Sequence, residues 1–188
     1  MENLEKKLGQ LYSVSPYYNK EYINKTEFKD EYSPAYGEVT KYSTNEIVNH
    51  FREYFNENTI FYDLGCGLGK MVIHIGLQYK PKKSCGIELS KERIKGANDL
   101  KEKYCKDNNT ISFIEGDFFT TDFSDATVVY VDNAVMSNEV TKKIINNLSK
   151  GCLFICRKKP MFIESESLND AKFKTSYGNS TLHFLIKK

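Results

Sequence analysis

Thr59-Ile60-Phe61-Tyr62-Asp63-Leu64-Gly65-Cys66-Gly67-Leu68-Gly69-Lys70 is the stretch on which the fold turns. Its first half is mostly β-branched and aromatic, which predicts a strand over Thr59–Leu64, and a helix follows from Gly69 to Tyr79. Between them, glycines at 65, 67 and 69 let backbone come close to a ligand. The helix start offers unpaired N–H groups and about half a positive charge to an anionic group. A strand, a glycine turn and a helix in that order predict a nucleotide-like ligand. A phosphate-binding P-loop would need glycine at Leu64 and Ser or Thr at Met71, and a dinucleotide fingerprint needs G-x-G-x-x-G. What stands here is D-x-G-x-G-x-G.

Outward from that turn, strand and helix alternate. Strands are expected at Ser84–Leu89, Ile111–Glu115, Ala126–Asp132 and Cys152–Cys156, and helices at Ser90–Tyr104 and Ser137–Ser149. Such alternation means an α/β fold with a parallel sheet covered on both faces. The end differs: Ala171–Tyr177 and Thr181–Lys187 flank Gly178-Asn179-Ser180 and predict an antiparallel hairpin that finishes the sheet. Upstream, residues 1–40 are polar, tyrosine-rich and weakly periodic, with short helices expected at Glu2–Tyr12 and Lys20–Asp30 and an irregular segment at Glu31–Glu38. Residues 1–40 are therefore expected to form an arm and substrate-side loop, and residues 41–188 the ligand-binding domain. The domain should begin on a helix capped by Ser43-Thr44 that carries Ile47, Phe51 and Phe55.

Composition sets outer limits. The chain has 188 residues, 40% of them hydrophobic and 13% aromatic, enough for one sizeable core. A net charge of +2 gives no whole-chain case for nucleic acid or an anionic membrane. Five cysteines without C-x-x-C spacing argue against a disulfide framework or a zinc knuckle, so reduced thiols, no metal and an intracellular setting, cytoplasmic or nuclear, are expected. No apolar run reaches membrane-spanning length.

Two further strand ends carry acids. Glu88 closes Cys85-Gly86-Ile87-Glu88, where its carboxylate could hold both ribose hydroxyls, each charge-assisted bond contributing about 1.5–3 kcal/mol. Gly116-Asp117-Phe118 follows the next strand, with an acid for an adenine amine and a ring to stack on the base. Taken singly, a tight turn and solvated strand ends explain these residues; three motifs at successive strand ends point to one adenosyl ligand.

In that order the motifs resemble those of the class I, seven-β-strand, S-adenosylmethionine-dependent methyltransferases, which implies a Rossmann-like, mostly parallel seven-stranded sheet with a terminal antiparallel hairpin. Tyr32-Ser33-Pro34-Ala35-Tyr36-Gly37-Glu38, Val128-Val129-Tyr130-Val131-Asp132-Asn133 and Asn138-Glu139-Val140 are similar to the disruptor-of-telomeric-silencing family, the non-SET histone H3 lysine methyltransferases. The resemblance implies that Tyr36, Glu38, Asp63, Gly65, Cys66, Gly67, Gly69, Lys70, Glu88, Asp117, Phe118 and Asp132 line the S-adenosylmethionine site. It also implies that Asp132, Asn133 and Tyr36 face the reacting amine. The implied partner is a protein, a histone or nucleosome, with nucleic acid touched only as part of a nucleosome and no membrane. Departures are Asp132 for an asparagine, Lys70 for a glutamine, Val39 for a hydroxyl residue, and Leu182 or His183 for a channel tyrosine.

The resulting expectation is a protein lysine N-methyltransferase and chromatin regulator. A methyltransferase of a non-histone protein, RNA or small molecule, and a non-catalytic cofactor-binding module, stay open beside it. Asp132 could orient a lysine amine or simply cap the helix at Ser137. Tyr32 and Tyr36 could wall a channel for an alkylammonium or pack the arm. Arg157-Lys158-Lys159 could meet an acidic surface or remain solvated, and His50, His74 and His183 are expected in packing or at the surface. A small side chain suffices at Cys66, and no nucleophile is expected there.

Overall fold

A computed structural model describes residues 3–14, 37–161, 165–176 and 178–188. The helices are α1 (Leu4–Ser13), α2 (Lys41–His50), α3 (Lys70–Gln78), α4 (Lys91–Cys105) and α5 (Asn138–Asn146). The strands are β1 (Ile60–Leu64), β2 (Lys83–Glu88), β3 (Ile111–Glu115), β4 (Val128–Val131), β5 (Leu153–Cys156), β6 (Ser165–Ser167), β7 (Ala171–Thr175) and β8 (Gly178–Lys187). They form one sheet in the order β3-β2-β1-β4-β5-β8-β6, with β7 also on β8. Strands β1 to β5 are parallel to one another, and β8 runs antiparallel to its three partners.

The expected α/β architecture is what forms, with corrections at three places. Thr40, not Ser43-Thr44, caps α2: its side chain accepts from the Ser43 N–H, while Ser43 and Thr44 are buried inside the helix. Phe55 lies beyond that helix, after a short 3-10 turn at Arg52–Tyr54. Gly178-Asn179-Ser180 is already strand, because Thr175 pairs with Gly178 and the hairpin turns earlier. The expected helix at Lys20–Asp30 lies outside the described residues.

Strand β6 was not expected. Ser167 stands opposite Leu185 and Ala171 opposite Leu182, so four steps on one side face three on the other. β6 and β7 thus act as one edge strand with an extra residue at Leu168–Asp170, a bulge of the kind that bends a strand. Counted this way, the sheet has the seven-strand plan.

Two apolar layers flank the sheet. One joins Leu8 and Leu11 of α1, Ile47 and Val48 of α2, Met71, Val72 and Ile75 of α3, and Phe184 of β8; the other joins Ile144, Ile145 and Leu148 to Tyr62, Ile87, Phe123 and Phe154. The first also holds a polar knot. His74 Nε2 donates toward Asn45 Oδ1 and Gln78 Oε1, both 3.0 Å away, and Nδ1 accepts from the Tyr12 hydroxyl at 3.1 Å. Burial pushes the His74 ring down to about 4, so it is neutral in the native protein. The unfolded chain takes up that proton near pH 6.5, so between pH 6.5 and 4 this group is more protonated in the unfolded state and its contribution to stability falls as pH falls. The loss is expected to reach about 3 kcal/mol at pH 4, read as the difference between parent and His74→Gln in how the urea midpoint changes from pH 7 to pH 4, since every other titrating group acts alike in both.

Candidate active site

Gly65, Gly67 and Gly69 all have positive φ, at 80°, 56° and 67°, which an L side chain rarely adopts. Gly65 and Gly69 serve different ends. A Cβ on Gly65 would meet nothing within 4 Å, so this peptide faces open space where a ligand can approach. A Cβ on Gly69 would lie 2.2 Å from Phe113 Cε1, so this glycine lets α3 start directly against β3. Cys66 packs on the strand below: a Cβ on Gly86 would meet its Sγ at 2.5 Å. Burial first, then Asp63 and Glu88, hold the Cys66 thiol well above its ordinary range, so it is no nucleophile.

Glu88 is buried at the tip of β2 and already grips the loop. Its Oε2 accepts the Gly67 N–H at 2.9 Å and Oε1 the Ser90 N–H at 3.0 Å, with Arg93 Nη1 at 3.9 Å from Oε1. A carboxylate accepts about four hydrogen bonds, so capacity for a ribose hydroxyl remains beside these two. Asp117 Oδ1 accepts from the Phe119 N–H at 2.8 Å, an Asx turn that fixes the loop after β3. Phe118 is buried and Phe119 half-buried beside it, ring centroids 4.8 Å apart.

Three acids at this end have cationic neighbours. Glu38 pairs with Lys70 at 2.7 Å, Glu88 lies beside Arg93, and Asp132 pairs with Arg157 at 3.5 Å. Asp63, 5% exposed, has no hydrogen-bond donor and no cation among the described residues. Burial, then Glu88, then Asp132 push its carboxyl up to about 8. A buried acid without a partner is costly unless it stays protonated or a ligand supplies positive charge. With the open face at Gly65 above it, this lining fits an adenosyl ligand that carries cationic groups. The described residues contain no cluster of three or more His, Cys, Asp or Glu side chains able to hold a metal.

At the tip of β4, Asp132 is about one-third exposed and its Oδ1 accepts the Ala134 N–H at 3.2 Å. It does not cap the next helix; Ser137 does, through the Val140 N–H. Asn133 is fully buried and makes four hydrogen bonds, to the Arg157 and Lys158 N–H groups, the Lys158 carbonyl and Thr141 Oγ1. Its amide therefore braces the end of β5 rather than facing a substrate. Lys158 and Lys159 are exposed, with Lys158 Nζ donating to the Met136 carbonyl and Lys159 Nζ 3.7 Å from Asp170. Leu182 is in the core with Phe184, and His183 points to the other face, Nδ1 3.0 Å from Asp170 Oδ1. Tyr32 and Tyr36 lie outside the described residues.

Gly86 and Arg93 belong to the site's construction and carry no role in the sequence reading, and Arg157, expected only as part of a basic triplet, turns out to pair with Asp132. Gly86 had a readable signal, since glycine inside an apolar strand marks close backbone approach.

Comparison with known proteins bears on the family and the fold. Residues 12–183 match the family described as histone methylation protein DOT1. A protein-lysine N-methyltransferase of Saccharolobus islandicus (strain REY15A) is 36% identical over 97 residues, 51% of this chain. A histone-lysine N-methyltransferase, H3 lysine-79 specific, of Caenorhabditis elegans is 26% identical over 147 residues, 70% of this chain. The matches span 60% of the former protein and 15% of the latter. Among solved structures, an RNA methyltransferase from Salinibacter ruber in complex with S-adenosyl-L-homocysteine superposes with a TM-score of 0.62 at 20% identity, over 80% of this chain and 94% of that one. Magnesium protoporphyrin IX methyltransferase from Synechocystis PCC 6803, with bound SAM, gives 0.62 at 12% identity, over 78% of this chain and 79% of that one. At such identities the likeness is one of fold.

Proposed function

The chain belongs to the DOT1 family of histone methylation proteins, and from that premise we propose that it is an S-adenosylmethionine-dependent lysine N-methyltransferase acting on a histone or nucleosomal protein. The observation that carries the cofactor assignment is Asp63: a buried acid at the end of β1, without a partner among the described residues, next to the open peptide of Gly65. The lysine assignment draws on the two relatives, both of which carry lysine methylation in their names.

In this reading Asp63 meets positive charge on the cofactor, Glu88 the ribose hydroxyls, and Asp117 with Phe118 the adenine. The bound cofactor supplies an electrophilic methyl on a sulfonium. The residues around it have to align a neutral amine and exclude water. Asp132 would hold the incoming alkylammonium, and Arg157 offsets its charge so that the amine's proton is less firmly retained. Asn133 keeps Arg157 and the end of β5 in register with that acid. We divide the chain functionally at residue 40, with the arm on the substrate side.

The test is transfer of radiolabel from the cofactor by the full chain to nucleosomes and to free histones. Label on a nucleosomal H3 lysine is the expected result. The higher identity to the Saccharolobus islandicus protein favours a second reading, a lysine methyltransferase of other proteins, for which label would appear only outside nucleosomes. No label on any protein, with calorimetric cofactor binding intact, would leave a binding module. In the same assay Asp132→Asn is expected to keep or raise the rate, by up to about fivefold at pH 7, because one charge that favours the ammonium form is gone. Complete loss would instead assign that carboxylate an essential role.

A further inference from the structure

Lys70 is the first residue of α3, directly after Gly69, and is 3% exposed. The start of a helix is the wrong end of the macrodipole for a cation, and a buried ammonium is unfavourable unless it is well paired. Two partners compensate it. Glu38 Oε2 lies 2.7 Å from Nζ, and the Val14 carbonyl accepts a second hydrogen bond. Each partner is anchored elsewhere. The Glu38 N–H donates to Ser176 Oγ at 3.0 Å, its carbonyl accepts the Ser176 N–H at 2.8 Å, and Val39 bridges Thr175 of β7. Val14 ends α1, whose Tyr12 bonds His74, one turn further along α3. One ammonium thus joins the end of α1, the segment at Glu38 and the helix that leaves the glycine loop. The α3 start has no side-chain cap of its own, so a shift in its first turn passes straight to Gly67 and to Glu88, which holds the Gly67 N–H.

We propose that Lys70 is a positioning residue of the cofactor pocket: by drawing Glu38 and Val14 onto the start of α3 it sets the affinity of the glycine loop for S-adenosylmethionine, acting through Glu38 rather than on the ligand. The proposal rests on the pocket assignment above. Its test is calorimetric titration of S-adenosylhomocysteine into the full chain and into Lys70→Met, Lys70→Arg, Glu38→Gln and the double variant Lys70→Met/Glu38→Gln, with unfolding midpoints measured alongside. Lys70→Met is expected to weaken binding about tenfold. Lys70→Arg should stay within about threefold of the parent, and the double variant should be no weaker than Lys70→Met, since both remove one interaction. A lower midpoint with unchanged affinity in Lys70→Met would make the residue purely structural and overturn the proposal. Additive losses, or Lys70→Arg binding as poorly as Lys70→Met, would place Lys70 on the ligand and overturn it too. If Lys70→Met does not fold, the double variant, which buries no lone charge, is compared with Lys70→Arg under the same criteria. Absence of heat with the parent chain would remove the pocket assignment itself, whereas parent binding with unaltered variants would remove only the role of Lys70.

Discussion

Asp63→Asn is expected to yield a protein that is more stable than the parent at pH 8 and binds S-adenosylmethionine about 10- to 100-fold more weakly. The two effects share one cause. The native protein keeps a proton on Asp63 up to about pH 8, whereas the unfolded chain has released it above about pH 4. Across that window the native state binds more protons, so the contribution of this group to stability falls as pH rises. An amide of the same shape carries no such penalty. The variant's advantage in thermal midpoint should therefore be greatest near pH 8 and vanish toward pH 4, where the carboxyl is neutral in both states. The amide also offers no negative charge to a cationic ligand, and affinity falls with the same substitution. Parent affinity should rise between pH 6 and 8 as Asp63 ionises on binding. A variant less stable than the parent at pH 8, or one with undiminished affinity, would show that Asp63 is a structural acceptor instead.

Gly86→Ala is expected to destabilise the fold by about 1–3 kcal/mol through overpacking and to impair cofactor binding, although Gly86 lies beneath the site. The new methyl would fall 2.5 Å from Cys66 Sγ, 2.8 Å from Cys66 Cβ and 2.8 Å from Phe113 Cδ1. Cys66 is tied by its N–H to the Ile87 carbonyl at 3.1 Å, so it cannot move without the loop. Relief would have to come from lifting Cys66 and Gly67 away from β2, which also strains the Gly67–Glu88 hydrogen bond. Denaturant melts and calorimetry on Gly86→Ala and on Gly86→Ala/Cys66→Gly check this. The second change deletes two of the three colliding atoms and should restore more than half of the lost affinity. Equal loss in both variants would mean that the strand, not the loop above it, carries the damage.

The parallel core and the glycine turn were legible because their signals are local. Apolar strands, Ser90 and Ser137 caps and positive-φ glycines each act within a few residues, and the strand and helix ends fall within a few positions of expectation. Ser165-Glu166-Ser167 carries no such signal. It becomes a strand because Leu185–Lys187 of β8 offers a free ladder. The cap of α2 was misplaced because Ser43 and Thr44 are adjacent hydroxyls within the helix, and Ser43 instead accepts from the Lys174 N–H of β7 at 2.8 Å. In the site, the acids themselves could be read, but not their charge balance. Which of Glu38, Asp63, Glu88 and Asp132 has a counter-ion depends on Lys70, Arg93 and Arg157, and two of those three pairings cross long stretches of chain. The family resemblance implies that Asn133 faces the amine. Its amide is instead taken up by Thr141 and by the backbone of Arg157 and Lys158, partners 8 to 25 residues away that no local signal reveals.

The bulge between β6 and β7 reaches beyond the count of strands. An outermost strand with a full row of unpaired amides is a template on which another molecule can dock its own backbone. Here that row is cut into a three-residue piece and a five-residue piece that are out of step, and the far end of the longer piece is closed off by Val39. The border of the sheet is thereby protected against fibril-like stacking without any proline, which leaves neighbouring side chains free to vary.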